Sequence, residues 1–126
     1  MNIIIDLEIY PLNVMVSIGE TDRKFNKAID RYDIEKDEVL SNFNKYPLTK
    51  ARTVMFDGNQ TMIRMRNYPE SAKDRGLLSH EVFHAVDFIL DRIGMKLIQE
   101  SCEAYAYLID YITRKIYEHI EGKQNE

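Results

Sequence analysis

The sequence predicts an α+β fold, and two kinds of periodicity predict it. Apolar residues alternate in the N-terminal half, whereas in the C-terminal half they recur at three- and four-residue intervals. A third observation sets the size: 126 residues suffice for one compact core and are too few for two, so residues 1–126 are read as one domain. The expected order is a mostly antiparallel β-sheet with a helix, then a long helix, then a C-terminal helix folded back beside it.

Residues 3 to 10 alternate, with Ile3, Ile5, Leu7 and Ile9 on one face and Asp6 and Glu8 on the other, as a half-buried strand requires. Leu12, Val14, Val16 and Ile18 repeat the pattern, and Pro11 marks the break between two neighbouring strands. From Thr21 to Tyr32, the residues Phe25, Ala28, Ile29 and Tyr32 fall at helical spacing with charges between them. Residues 33 to 50 offer only Val39, Leu40 and Phe43 as anchors, which suits a short helix or a loop. Residues 52 to 56 and 61 to 66 read as a β-hairpin, with Asp57-Gly58-Asn59-Gln60 as the turn.

Ser71, with Asp74 three residues on, resembles a capping box opening a long helix. Leu77, Leu78, Val82, Phe83, Val86, Ile89, Leu90 and Ile93 carry its apolar pattern, and Gly94 is placed to cap its end. A second helix runs from about Leu97 to Ile120 with Tyr105, Leu108, Ile109, Ile112 and Ile116 inward, and residues 121 to 126 read as a frayed tail.

Composition excludes several classes. A net charge of -4 without a Lys/Arg block argues against nucleic acid, which needs a concentrated basic face. Cys102 is the only cysteine, so no internal disulfide forms and a reducing compartment is expected. No run reaches the roughly 18 apolar residues of a membrane span, and Asp6 and Glu8 interrupt the N-terminal apolar run without a signal-peptide pattern. The expectation is a cytoplasmic protein that uses neither membrane nor nucleic acid.

The chemistry lies in His80-Glu81-Val82-Phe83-His84. Residues four apart share a helix face, so His80 and His84 can present ring nitrogens to one metal ion. Glu81 then stands beside the first ligand, where it can accept a proton from a water whose pKa Zn²⁺ lowers from 15.7 to about 7. Two of three histidines and a glutamate fall into this arrangement by accident in roughly 0.4% of random placements, which makes chance a poor explanation. Val82, Phe83, Ala85 and Val86 are expected to anchor the helix with both histidines turned inward. A catalytic zinc ordinarily takes a third protein ligand, and Glu100 and Glu103 begin the returning helix. Glu103 is preferred, because Glu103, Tyr107 and Asp110 or Tyr111 continue one face, while Glu100 suits the helix N-terminal charge.

These residues resemble the gluzincin branch of the zincin metallopeptidases, in which HExxH on one helix is completed by a Glu on the next. His80-Glu81-Val82-Phe83-His84-Ala85-Val86-Asp87 matches the first helix, and Glu103-Ala104-Tyr105-Ala106 resembles the Glu-x-x-Ala signature at a similar spacing. The short chain is similar to minimal gluzincins and to small HExxH proteins of phages and prophages. The resemblance implies a zincin-like fold, Zn²⁺ held by His80, His84 and Glu103, and a peptide or protein substrate paired with a sheet edge, placed by analogy at residues 61 to 66. It also exposes departures. Tyr107 stands where larger members carry an Asp, leaving Asp87 or Asp110 to orient a ligand.

Larger members use a downstream histidine of a C-terminal subdomain to stabilise the oxyanion, a role the resemblance leaves to be filled here by another residue. His119 lies about 24 Å beyond Glu103 along a helix at ~1.5 Å per residue, so a tyrosine is the better candidate oxyanion stabiliser: Tyr107, one turn from Glu103, with Tyr105 and Tyr111 nearby. The expected activity is therefore zinc-dependent peptide hydrolysis with Glu81 as general base. Two alternatives accompany it: a non-catalytic binding protein that keeps the zincin fold, and a regulatory protease restricted to one partner. Oligomeric state is not legible.

Overall fold

The computed structural model describes residues 1–32, 36–45, 50–56 and 60–124. The strands are β1 (Asn2–Asp6), β2 (Asn13–Ile18), β3 (Ala51–Met55) and β4 (Gln60–Met65), and the helices are α1 (Asp22–Arg31), α2 (Lys36–Lys45), α3 (Ala72–Arg92) and α4 (Cys102–Gln124). The architecture is α+β, with one four-stranded sheet in the order β1-β2-β4-β3. Two antiparallel hairpins, β1 with β2 and β3 with β4, meet along a parallel β2–β4 seam. A parallel pair needs a crossover connection, and α1 and α2 lie within that crossover.

Alternation along the strands directs the two faces of the sheet to different helices. On one face Val14, Val16, Ile18, Ile63 and Met65 join α3 and α4 through Leu78, Val82, Val86, Ile112 and Ile116. On the other, Met15 and Met62 join α1 and α2 through Phe25, Ala28, Ile29, Val39 and Phe43. The inner strands are thus covered on both sides. Arg64 is buried on the second face, pairs with Asp22 at 2.8 Å and lies 4.0 Å above the Phe25 ring. No helix among the described residues is long and apolar enough to cross a membrane.

Several boundaries differ from those expected. The first strand stops at Asp6 because residues 7 to 12 must reverse the chain: Leu7 N–H donates to Leu12 O, Glu8 takes φ 50°, and Ile9 is left 80% exposed. The sheet edge beside α3 is β3, since β4 lies between β2 and β3; residues 61 to 66 therefore do not form that edge. The last helix extends through Gln124, so residues 121 to 124 are helical. Residues 33 to 35 and 46 to 49 of the weakly patterned stretch, the Asp57-Gly58-Asn59 turn, the Leu40 side chain and the final two tail positions lie outside the described residues.

Gly19 closes β2 at φ 69°, donating its N–H to Met65 O at 3.0 Å. A Cβ there would meet Tyr68 Cε2 at 2.5 Å. Gly19→Ala should therefore cost at least about 2 kcal/mol through the left-handed backbone and the ring clash, measured as a lowered urea midpoint at unchanged m-value.

Candidate metal and hydrolytic site

Ser71 caps α3 by accepting the Asp74 N–H at 3.0 Å, and Leu78, Val82, Ala85, Val86, Ile89 and Leu90 bury one stripe of it. That stripe determines where the motif points. At 100° per residue, seating Leu78 and Val82 on the sheet turns Glu81 to the flank facing β3 and carries His80 and His84 away from the sheet. Glu81 is 6% exposed, His84 half-buried and His80 exposed. The expected inward pair of histidines is thus outward, and the inward group is the glutamate. Phe83, at 38% exposure, does not anchor the helix as Val82, Ala85 and Val86 do.

The two imidazoles nevertheless converge. Their Nε2 atoms lie 3.0 Å apart, and the His84 ring stacks on Phe88 with centroids 6.3 Å apart. Two ligands at ~2.05 Å from one tetrahedral ion would be about 3.3 Å apart, near the spacing seen, which is also that of a hydrogen bond between one protonated and one unprotonated ring nitrogen.

Glu81 is held by a residue the sequence reading did not single out. Thr53 Oγ1, on the edge strand β3, lies 2.5 Å from Glu81 Oε2 and 3.0 Å from Glu81 O. A hydroxyl has one proton, and an ionised carboxylate is the stronger acceptor, so the short contact is the one Thr53 donates into. Oε1 remains free of this hydrogen bond. No motif links Thr53 to Glu81 across 28 positions; the only signal was a small polar residue on the strand face shared with Ala51 and Met55.

The other predicted site residues are not gathered at this point. Tyr105 is buried, and its hydroxyl donates to Met95 O at 3.2 Å. Burial, then Asp87 and Asp91 of α3, raises its phenol above the ordinary value. Residues two apart on a helix point in nearly opposite directions, so inward Tyr105 leaves Glu103 exposed on the first turn of α4. Glu100 is exposed in the short 3-10 turn before it.

Among the described residues no group of three His, Cys, Asp or Glu side chains is close enough to hold a metal, so Glu103 does not join His80 and His84. The face shared by Glu103, Tyr107 and Asp110 exists, but it is α4's outer face. Tyr107, 71% exposed, lines a groove of about 400 Å³ with Leu7, Ile9 and Arg114, and none of His80, Glu81 and His84 lines it. The geometry therefore gives the oxyanion role of Tyr107 no support. Asp110 pairs with Arg114 in the same groove, and Asp87 is half-buried one turn beyond His84.

Comparison with protein-family models, curated proteins and solved structures returned no match.

Thr53→Val removes the donor to a buried carboxylate and should destabilise the fold by about 1–3 kcal/mol. Thr53→Ser should restore most of the loss, both changes being read from denaturant unfolding.

Proposed function

We propose that the chain is a zinc-dependent peptide hydrolase in which Glu81 is the general base. The observation that carries this reading is the convergence of the His80 and His84 Nε2 atoms, 3.0 Å apart, one helical position from a buried carboxylate whose Oε2 is held and whose Oε1 is not. His80 and His84 would hold the metal, with Glu103 assigned as third ligand on motif spacing alone. A bound zinc ion supplies Lewis acidity, polarising a peptide carbonyl and acidifying water toward neutral pH.

The remaining work falls to the chain. Thr53 fixes the carboxylate through Oε2, so Oε1 accepts the proton of the attacking water and later returns it to the departing amine nitrogen. Water is added across the C–N bond, and Glu81 ends in its starting state. The outer edge of β3, which carries Thr53, suits an extended substrate because main-chain pairing there is indifferent to side-chain identity.

A second reading is favoured by a specific observation. Among the described residues Glu103 is not gathered with the imidazole pair, and Tyr107 lines a groove that none of His80, Glu81 and His84 lines, an arrangement that also suits a binding protein without turnover. Metal content and turnover together separate the cases. Purified protein should carry about one zinc per chain, lost in His84→Ala and in Glu103→Ala but kept in Glu100→Ala. No zinc after supplementation and removal of excess would sink the hydrolase reading. Glu81→Gln should keep the metal and slow peptide hydrolysis by about 10²–10⁴-fold; full activity in that variant would show that the base is another group.

A further inference from the structure

A cavity of about 190 Å³ opens where β3 and α3 both begin, lined by Lys50, Arg66, Asn67, Ser71, Lys73 and Asp74 among others. Lys50 and Lys73 are exposed and line the same cavity, near enough for each charge to act on the other. Contact with Lys73, followed by its charge repulsion, lowers the Lys50 pKa, and the opposing pull of Asp74 is the weakest of the influences on it. Among the described residues neither lysine has a carboxylate within ion-pair distance. Two cations lining one small cavity are stabilised by an anion placed between them. The chain as a whole carries -4, so this positive pocket is a local feature set against the overall charge.

Its position relates it to the hydrolytic site. Lys50 precedes Thr53 by three residues of nearly extended chain, and Lys73 precedes Glu81 by eight residues of helix. At ~3.3 Å per strand residue and ~1.5 Å per helix residue, these separations are about 10 Å and 12 Å. Strand and helix thus place the pocket about three extended peptide residues from the Thr53–Glu81 hydrogen bond.

We infer that this pocket takes an Asp or Glu side chain of an extended peptide about three residues from the bond to be cut, so that acidic peptides are the preferred class. The distance to the scissile bond rests on the reading of Glu81 as the base. The affinity of the pocket for a carboxylate does not.

The test uses the native full chain and two fluorescein-labelled nonapeptides of alanine and threonine, one with a central glutamate and one with glutamine, in fluorescence anisotropy at low ionic strength. The glutamate peptide should bind about fivefold tighter, as expected for a screened ion pair. That preference should vanish in Lys50→Ala/Lys73→Ala, two exposed positions whose truncation leaves the core intact, and should shrink as salt is raised. Equal affinities, no binding of either peptide, or a preference that survives both substitutions overturns the inference. Equal affinities together with a Glu81→Gln variant that has lost turnover would remove the pocket and leave the hydrolase reading standing. A lysine-dependent preference with turnover unaffected by Glu81→Gln would do the reverse.

Discussion

The seating of α3 on the sheet is the constraint from which the rest of the site follows. Leu78, Val82, Ala85, Val86, Ile89 and Leu90 are all at most 1% exposed, and burying each large aliphatic side chain is worth about 1.5–3 kcal/mol. A single net hydrogen bond contributes about 1 kcal/mol, so the stripe, and not any polar contact of the motif, sets the rotation of the helix. Rolling α3 by one residue would expose part of that stripe. His80 and His84 are therefore presented outward, and Glu81 is drawn into the crevice between helix and strand, where its carboxylate needs a donor. Thr53 supplies one.

The opposite face of the sheet holds the scaffold steady. Because β2 and β4 run parallel at the centre, the chain between them must cross over, and α1 and α2 cover the second face in doing so. Arg64 belongs to this layer: it is buried on an inner strand and accommodated by the Asp22 carboxylate and the faces of Phe25 and Phe43. With both faces of β4 covered, its backbone is a firm neighbour for β3. The edge strand that carries Thr53 is consequently supported on one side, and among the described residues no strand pairs with its other side.

The proposed chemistry and the proposed acidic preference share this frame. β3 and α3 begin at a common cavity lined by Lys50 and Lys73, and the Thr53–Glu81 hydrogen bond joins them farther along. A peptide laid along the β3 edge would run from the positive pocket to the carboxylate base. Tyr107 and Asp110 of α4 line a different surface, shared with residues 7 to 10, and Glu103 is exposed on the same helix. That separation is the reason a binding role remains a distinct reading of the same fold.

The local elements were legible in the sequence, since each rests on interactions between near neighbours. The period-two alternation of residues 13 to 18, the Ser71 cap and the 3.6-residue apolar stripe of α3 all specify structure within a few positions. The HExxH spacing likewise places His80, Glu81 and His84 along one stretch of helix whatever surrounds it. What the sequence could not state was which way that stretch faces. Alternation extends too far at Ile9 because a chain reversal leaves no mark in hydrophobicity, and the family analogy that puts residues 61 to 66 at the edge fails because strand order depends on contacts between distant segments. The shared face of Glu103 and Tyr107 was correctly a face, yet whether it met α3 or solvent was decided by the burial of Tyr105. The hydrogen bond from Thr53 to Glu81 and the cavity shared by Lys50 and Lys73 exist only once β3 lies beside α3. Sequence by itself determined most of the elements and the spacing of the candidate groups along α3; the packing of one apolar stripe, a property of the whole chain, decided their directions and their partners.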